Sequence, residues 1–246
     1  MSIFNALVAP HRAVVAADTS VANWREDGTF GHIGHAQKFY SVATMQAVFV
    51  GRGRLDFVEA ASFQLAMSGY EDIAKVAAPF AEFLEQYIEN DKATRDSGDG
   101  DLPFGADPAV LKFSGALVGF SPSRGACVGV SLIEPSGANW GKIYERGPFM
   151  GAVDQIADWD RLKRLATGNP SLEAARELAR MQFDQLTPAQ QQLGFGGHLT
   201  TAVIDEGGIR LGIDRDFFDA ASAGAAALPR AERRRREREA RKAGRA

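Results

Sequence analysis

The sequence contains a single cysteine, Cys127, among 246 residues. One cysteine excludes an internal disulfide and is typical of a reducing compartment. The longest apolar runs are short and interrupted by charged residues, so we expect no transmembrane helix. The first ten residues also lack the basic start and the long apolar stretch of a signal peptide. These absences predict a cytoplasmic protein with no membrane association.

Motifs for nucleotides and metals are missing as well. No P-loop, dinucleotide fingerprint or nucleophile elbow is present. His32 and His35 stand in a glycine-containing turn, and no cysteine or carboxylate pair nearby completes a metal site. The stretch Asp99-Gly100-Asp101 lacks the rest of an EF-hand loop. We therefore expect neither a metal nor an organic cofactor.

Charge is distributed unevenly along the chain. From Arg230 to Ala246 there are nine Arg or Lys and three Glu, which gives this segment a formal charge of +6. Because the whole chain carries −3, the preceding residues carry −9. An Arg-rich segment can hold nucleic acid or an acidic partner by charge, although no aromatic residue is interleaved for base stacking. Docking on the acidic body of a neighbouring subunit and a solvated terminus remain alternatives.

Hydrophobic periodicity predicts one domain over residues 1–228 and a charged tail over 229–246 that is flexible or helical. Strands are predicted at residues 3–9, 12–22, 38–43, 46–51, 113–120, 126–134, 140–145, 198–204 and 209–213. Helices are predicted within 55–65, 73–88, 153–165 and 171–183, and a short one begins near residue 214. Residues 23–34 and 90–108 are rich in turn formers. Runs of strands that alternate with pairs of helices favour antiparallel sheets covered by helical hairpins.

Three residues near the start of the chain could carry chemistry: Ser2, Asp18 and Lys38. After removal of Met1, the α-amine of Ser2 lies beside its own hydroxyl. A free α-amine has a pKa of about 7.7–8.0, so it can accept the hydroxyl proton near neutral pH. Asp18 ends the apolar run Ala13–Ala17, and Lys38 begins a later strand. A purely structural ion pair between Asp18 and Lys38 is an equally good interpretation.

The stretch Ala16-Ala17-Asp18-Thr19, with its aspartate sixteen residues beyond Ser2, resembles the start of proteasome β-subunits and other N-terminal nucleophile (Ntn) hydrolases. The resemblance implies an α+β fold, a four-layer αββα sandwich of two antiparallel sheets flanked by helical hairpins. It implies that Ser2 is the nucleophile, that Lys38 favours its deprotonated form, and that Asp18 orients Lys38. Amides around Gly51 and Gly53, in a glycine-rich turn, would bind the oxyanion or substrate.

The C-terminal part adds to this resemblance. Gly196-Gly197-His198 is similar to the paired glycines that begin the last hairpin of the family. The implied reaction is hydrolysis of a peptide or small amide through an acyl-enzyme on Ser2. The resemblance also implies assembly into a homo-oligomer.

Several positions depart from the family pattern. Ile3-Phe4 follow Ser2, where small residues are usual. The stretch Gly147–Gly151, expected to be the turn before the third helix, contains no hydroxyl where the family has a supporting serine. Gln192 and Phe195 take the places of an aspartate and a serine. These departures keep a second interpretation open, namely a catalytically silent Ntn-fold subunit with a structural or scaffold role.

Overall fold

A computed structural model describes residues 3–24, 30–53, 55–96, 113–133, 135, 137–151, 158–186, 196–215 and 217–218. Ser2, most of the loop predicted at 90–108, most of the predicted C-terminal helix and the basic tail lie outside these ranges. The strands are β1 (Phe4–Ala9), β2 (Arg12–Asp18), β3 (Ser20–Trp24), β4 (Phe30–His35), β5 (Phe39–Val42), β6 (Ala47–Arg52), β7 (Ser114–Ser121), β8 (Ala126–Leu132), β9 (Ile143–Tyr144), β10 (Gly147–Gly151), β11 (Leu199–Asp205) and β12 (Gly208–Asp214). The α-helices are α1 (Leu55–Met67), α2 (Ile73–Asp96), α3 (Trp159–Thr167) and α4 (Leu172–Asp184).

Two five-stranded sheets form the centre of the described structure. The first sheet has the strand order β10-β1-β2-β11-β12, and the second has the order β5-β6-β7-β8-β9. Strands β3 and β4 form a separate two-stranded hairpin. Every strand pair is antiparallel, so the expectation of antiparallel sheets is confirmed.

Strands β1 and β2 are buried along almost their whole length because both of their faces are covered. Successive side chains of a strand point to opposite faces, and a strand buried on both faces therefore becomes a continuous apolar run. Phe4 and Val15 pack on side chains of the second sheet. Leu7 and Val14, on the opposite face, pack against α4.

Two helical hairpins cover the sheets. Helices α1 and α2 pack on the second sheet through a cluster that includes Phe57, Leu65 and Leu84. Helices α3 and α4 pack on the first sheet. Ser171 is the N-cap residue of α4, and its side chain accepts a hydrogen bond from the amide of Ala174. Within the described residues, no helix combines the length and the apolar character needed to span a bilayer.

The stretch Gly147–Gly151 is a strand rather than the expected turn. It forms β10 and pairs with β1 along the edge of the first sheet. An edge strand tolerates Pro148, which cannot donate a backbone hydrogen bond. Phe149 is 6% exposed and fills the space left by Gly129, where a Cβ atom would lie 2.4 Å from its ring.

Three other predicted boundaries also differ. The strand expected at 12–22 divides after Asp18, and its second part pairs with residues expected to be a turn, forming the β3–β4 hairpin. Helix α2 continues to Asp96 into the predicted loop, since Glu, Lys and Ala in that stretch are good helix formers. The strand predicted at 140–145 is limited to Ile143–Tyr144.

Candidate active site

Asp18 and Lys38 meet in the interior, beside the end of β2. Asp18 is the last residue of this strand and is fully buried, while Lys38 precedes β5 and is 6% exposed. The ammonium Nζ of Lys38 donates to Oδ1 of Asp18 at 2.9 Å and also to the carbonyl oxygen of Ser20. The structure therefore brings together the two charged residues that the sequence singled out.

The carboxylate of Asp18 also holds the backbone at Ile3, near the start of the chain, and at Gly196, which precedes β11. Its Oδ1 accepts from the amide of Ile3 at 3.0 Å, and its Oδ2 accepts from the amide of Gly196 at 3.0 Å. The amide of Asp18 in turn donates to the carbonyl of Ile3. Ser2 lies outside the described residues, but its neighbour Ile3 is bound directly to the carboxylate that holds Lys38.

Burial and hydrogen bonding act on Asp18 in opposite directions. Removal from water disfavours the charged carboxylate and raises the pKa of Asp18 above its usual 3.8. The charge and hydrogen bond of Lys38 oppose this rise, as do the amides of Gly196 and Ile3. A buried charge is tolerated when it is paired and hydrogen-bonded, and this arrangement keeps an ammonium group in the interior.

The two glycines predicted to bind an oxyanion differ in their surroundings. The amide of Gly51 donates to the carbonyl of Lys38 at 3.3 Å, so it is already engaged in the sheet and positions the Lys38 backbone. A Cβ atom at Gly51 would lie 3.3 Å from both Phe49 and Val58, so the position is also closely packed. Gly53 lies beyond the end of β6 and has a φ of 126°, which favours glycine.

A cluster of two histidines and a threonine adjoins the ion pair, and sequence reasoning did not reveal it. Thr19 Oγ1 lies 3.2 Å from Nδ1 of His35 and accepts from the amide of His198 at 3.0 Å. The two imidazole rings are stacked, with centroids 4.7 Å apart and an interplanar angle of 15°. His198 Nδ1 lies 2.8 Å from the carbonyl of Arg215, which can only accept, so this nitrogen carries a proton.

Gly197 makes this cluster sterically feasible. Its φ is 74°, and a Cβ atom there would lie 2.6 Å from Nδ1 of His35 and 2.9 Å from Oγ1 of Thr19. Only glycine fits both the backbone conformation and the space. The paired glycines of the last hairpin thus have separate roles: the amide of Gly196 binds Asp18, and Gly197 leaves room for the histidine cluster.

A buried polar link fixes β1 directly after Ile3. Asn5 donates through Nδ2 to Oε1 of Gln182 at 3.1 Å and to the carbonyl of Ala175 at 3.2 Å. Gln182 donates through Nε2 to the carbonyl of Phe4 at 3.0 Å. Both amide side chains are fully buried. Helix α4 thereby holds the first two residues of β1 in place.

The only cysteine is poorly suited to be a nucleophile. Cys127 lies in β8, is fully buried, and points its Sγ towards the carbonyl of Ile204 at 3.6 Å. Burial, together with the charge of Asp205, raises the pKa of its thiol to about 11. Among the described residues, no three His, Cys, Asp or Glu side chains form a group that could hold a metal ion.

Comparison with known proteins supports the fold. No family model and no curated protein matches the chain. The structure is similar to that of an Anbu (Gly-1) mutant from Hyphomicrobium sp. strain MC1, with a TM-score of 0.58 and 15% sequence identity over 94% of this chain and 96% of the other. Anbu has the proteasome-like fold of the Ntn hydrolases. At this identity the similarity defines a distant relationship of fold only.

Proposed function

We propose that the chain is a proteasome-like Ntn hydrolase that cleaves a peptide or small amide through Ser2 after Met1 has been removed. In this proposal, residues 1–228 form one four-layer αββα domain, in which the two sheets face each other and a helical hairpin covers each outer side. The clusters that join the sheets and that join each sheet to its helices support this layering.

One observation carries the proposal, namely the double attachment of Asp18. The same carboxylate oxygen accepts from Lys38 Nζ at 2.9 Å and from the amide of Ile3 at 3.0 Å. An ammonium has three donor hydrogens, and Lys38 uses two of them on Asp18 and Ser20 within the described residues. We assign the third to the hydroxyl oxygen of Ser2, one residue before Ile3.

Each group then has a defined task. The α-amine of Ser2 takes the hydroxyl proton, Oγ attacks the carbonyl carbon of the amide, and the amine returns the proton to the leaving nitrogen. The positive charge of Lys38 stabilises the developing alkoxide, while Asp18 holds Lys38 in place. Water then hydrolyses the ester on Ser2. We assign the oxyanion donor to the amide of Gly53, because that of Gly51 is engaged with Lys38.

Labelling by a β-lactone tests the nucleophile. Protein purified without an N-terminal tag is analysed by intact mass to establish removal of Met1 and then incubated with the probe. The proposal expects one label per chain, loss of the label in Ser2→Ala, and full labelling of Ser41→Ala, which changes an exposed serine of β5. Retention of Met1 on the labelled protein would contradict the proposal, and so would full labelling of Ser2→Ala.

A second candidate keeps the fold and omits the reaction. Gly147–Gly151, which contains no hydroxyl, is committed to pairing with β1, so this stretch offers no side chain that could assist the Ser2 amine. In this scaffold interpretation the Asp18–Lys38 pair is architectural. It expects no label on protein from which Met1 has been removed, and it expects Lys38→Met to change stability alone.

A further inference from the structure

Strand β12 ends the first sheet with an exposed apolar face. Among the described residues, no strand pairs with its outer edge. Leu211 is 61% exposed and Ile213 is 56% exposed. Both lie on the same face as Ile209, which packs on the cluster between the sheets. Unpaired edges with exposed apolar side chains favour pairing with another strand.

A backbone hydrogen bond just beyond the end of β2 determines which residues of β12 direct their N–H and C=O groups outward. The amide of Thr19 donates to the carbonyl of His198 at 3.0 Å, so alternate residues of β11 from His198 onward direct their backbone groups to β2. The residues between them face β12, and the register pairs Thr201 with Gly212. Ile209, Leu211 and Ile213 therefore direct their N–H and C=O groups outward.

The outer part of β12 is complementary to itself. In the order Arg210, Leu211, Gly212, Ile213, Asp214, a cation and an anion flank two apolar residues around a central glycine. If two such strands pair antiparallel with Gly212 on a two-fold axis, Leu211 of each faces Ile213 of the other. Arg210 of each then faces Asp214 of the other. Leu211 and Ile213 are among the outward-facing residues, so this register also satisfies the backbone hydrogen bonds.

We propose that β12 pairs with β12 of a second copy of this chain about Gly212, joining the first sheets of two chains into one continuous sheet. Charge and strand length favour this register, because a shift by two residues in one direction would place Arg210 opposite Gly212, and a shift in the other direction would place Arg210 beyond Asp214, the last residue of the partner strand. Arg210 now pairs with Asp205 at 2.5 Å and Asp214 with Arg176 at 3.5 Å. Both pairs are partly exposed, so exchanging partners costs little. The proposal is independent of whether Ser2 reacts.

Engineered cysteines test the register. Residues that face each other without mutual hydrogen bonds have Cα atoms about 4.5 Å apart, within the range of a disulfide. A mixture of Arg210→Cys and Asp214→Cys chains should form a disulfide-linked dimer under mild oxidation. Native Cys127 should not take part, because it is buried. Each variant alone should not, since identical positions would lie about 13 Å apart along the strands. Equal cross-linking of the single variants, or none in the mixture, would overturn the proposal.

Charge reversal tests the interface without cross-linking. Arg210→Asp and Asp214→Arg should each weaken self-association at least tenfold in sedimentation equilibrium, because each places like charges opposite one another. An equimolar mixture of the two variants should recover wild-type association, since every contact is again between opposite charges. Arg124→Asp, which changes an exposed ion pair with Glu145 elsewhere, should leave association unchanged. Failure of the mixture to recover association would overturn the proposal.

Discussion

Asp18 and Asp72 are two buried carboxylates with opposite pKa shifts. Asp18 is fully buried and faces an ammonium, and its pKa is raised. Asp72 is 6% exposed. Burial alone would also raise its pKa, but hydrogen bonds from Ser123, Ser121 and Ala74 lower it to about 2. The carboxylate that needs a buried counter-charge is the one beside the start of the chain.

The surroundings of Asp72 explain why it has a structural role. It precedes α2 and accepts from the amide of Ala74 at 2.8 Å, which is an N-cap interaction. Its oxygens also accept from the hydroxyl of Ser121 at 2.7 Å and the amide of Ser123 at 3.0 Å. Asp72 thus joins a helix start to the turn between β7 and β8 through neutral donors. Asp18 instead joins a lysine to two backbone segments, one at Ile3, which follows the candidate nucleophile in the sequence, and one at Gly196.

The largest expected effect comes from removing the charge of Asp18. Asp18→Asn leaves the Lys38 ammonium buried without a counter-charge, and breaking such a pair costs about 3–5 kcal/mol. We expect this loss in denaturant unfolding, together with a fall in β-lactone labelling of about 100-fold or more. Asp72→Asn is the matched variant, and it should lose stability without losing labelling.

A double variant distinguishes a catalytic role of the ion pair from a purely structural one. If Asp18→Asn unfolds the chain, Lys38→Met combined with Asp18→Leu removes both charges and is expected to restore the fold, because apolar replacements of buried pairs are often tolerated. That double variant should remain unlabelled. Labelling of the folded double variant would make the pair purely structural and would remove the distinction from Asp72.

The next largest effect is expected at two glycines with positive φ, one near Asp18 and one near Asp72. Gly197 (φ 74°) adjoins the candidate site, whereas Gly125 (φ 61°) lies in the β7–β8 turn with nothing within 4 Å of a Cβ atom. Gly125→Ala should cost only backbone strain, about 1–2 kcal/mol. Gly197→Ala adds overlap with His35 and Thr19, so we expect about 1–3 kcal/mol more. Thermal unfolding of the two variants gives the difference. Equal losses would mean that the histidine cluster adapts without cost.

Much of the central fold could be predicted from the sequence because its strands are buried. The apolar run Ala13–Ala17 needs two covered faces, and the antiparallel arrangement follows from the order of strands and helices. Strands β4 and β10 were missed for a related reason. Their Pro and Gly residues favour turns locally, and the strands form only because a partner strand is available.

Some contacts of the candidate site could likewise be predicted from the sequence, and others could not. The resemblance implied that Asp18 holds Lys38, and the structure pairs the two side chains. The Asn5–Gln182 link joins residues 177 positions apart in the sequence, and the stack of His35 on His198 joins two separate strand ends. Such contacts depend on tertiary packing and leave no local pattern. The paired glycines before His198 were the one signal near the histidine cluster.

An acid titration of stability tests the Asp72 side of the comparison. The folded pKa of Asp72 is about 2, below its usual 3.8, so the folded state favours the charged carboxylate. The resulting stabilisation is fully present above pH 3.8 and is lost as the pH falls towards 2. It amounts to about 2 kcal/mol. Wild type and Asp72→Asn should therefore converge in stability through this pH range. A constant difference between them down to pH 2 would contradict the assigned pKa.

The smallest expected effect concerns Cys127, which lies just beyond the same β7–β8 turn. Its thiol is buried, and its pKa is about 11, so it is almost entirely protonated at neutral pH and a poor nucleophile. A thiol reagent should react with native protein only as fast as the protein unfolds. Cys127→Ala should leave β-lactone labelling unchanged. Removal of the sulfur should lower the free energy of unfolding by about 1 kcal/mol. Loss of labelling in Cys127→Ala would transfer the nucleophile from the region of Asp18 to the region of Asp72, and the proposed roles of Ser2 and Lys38 would be wrong.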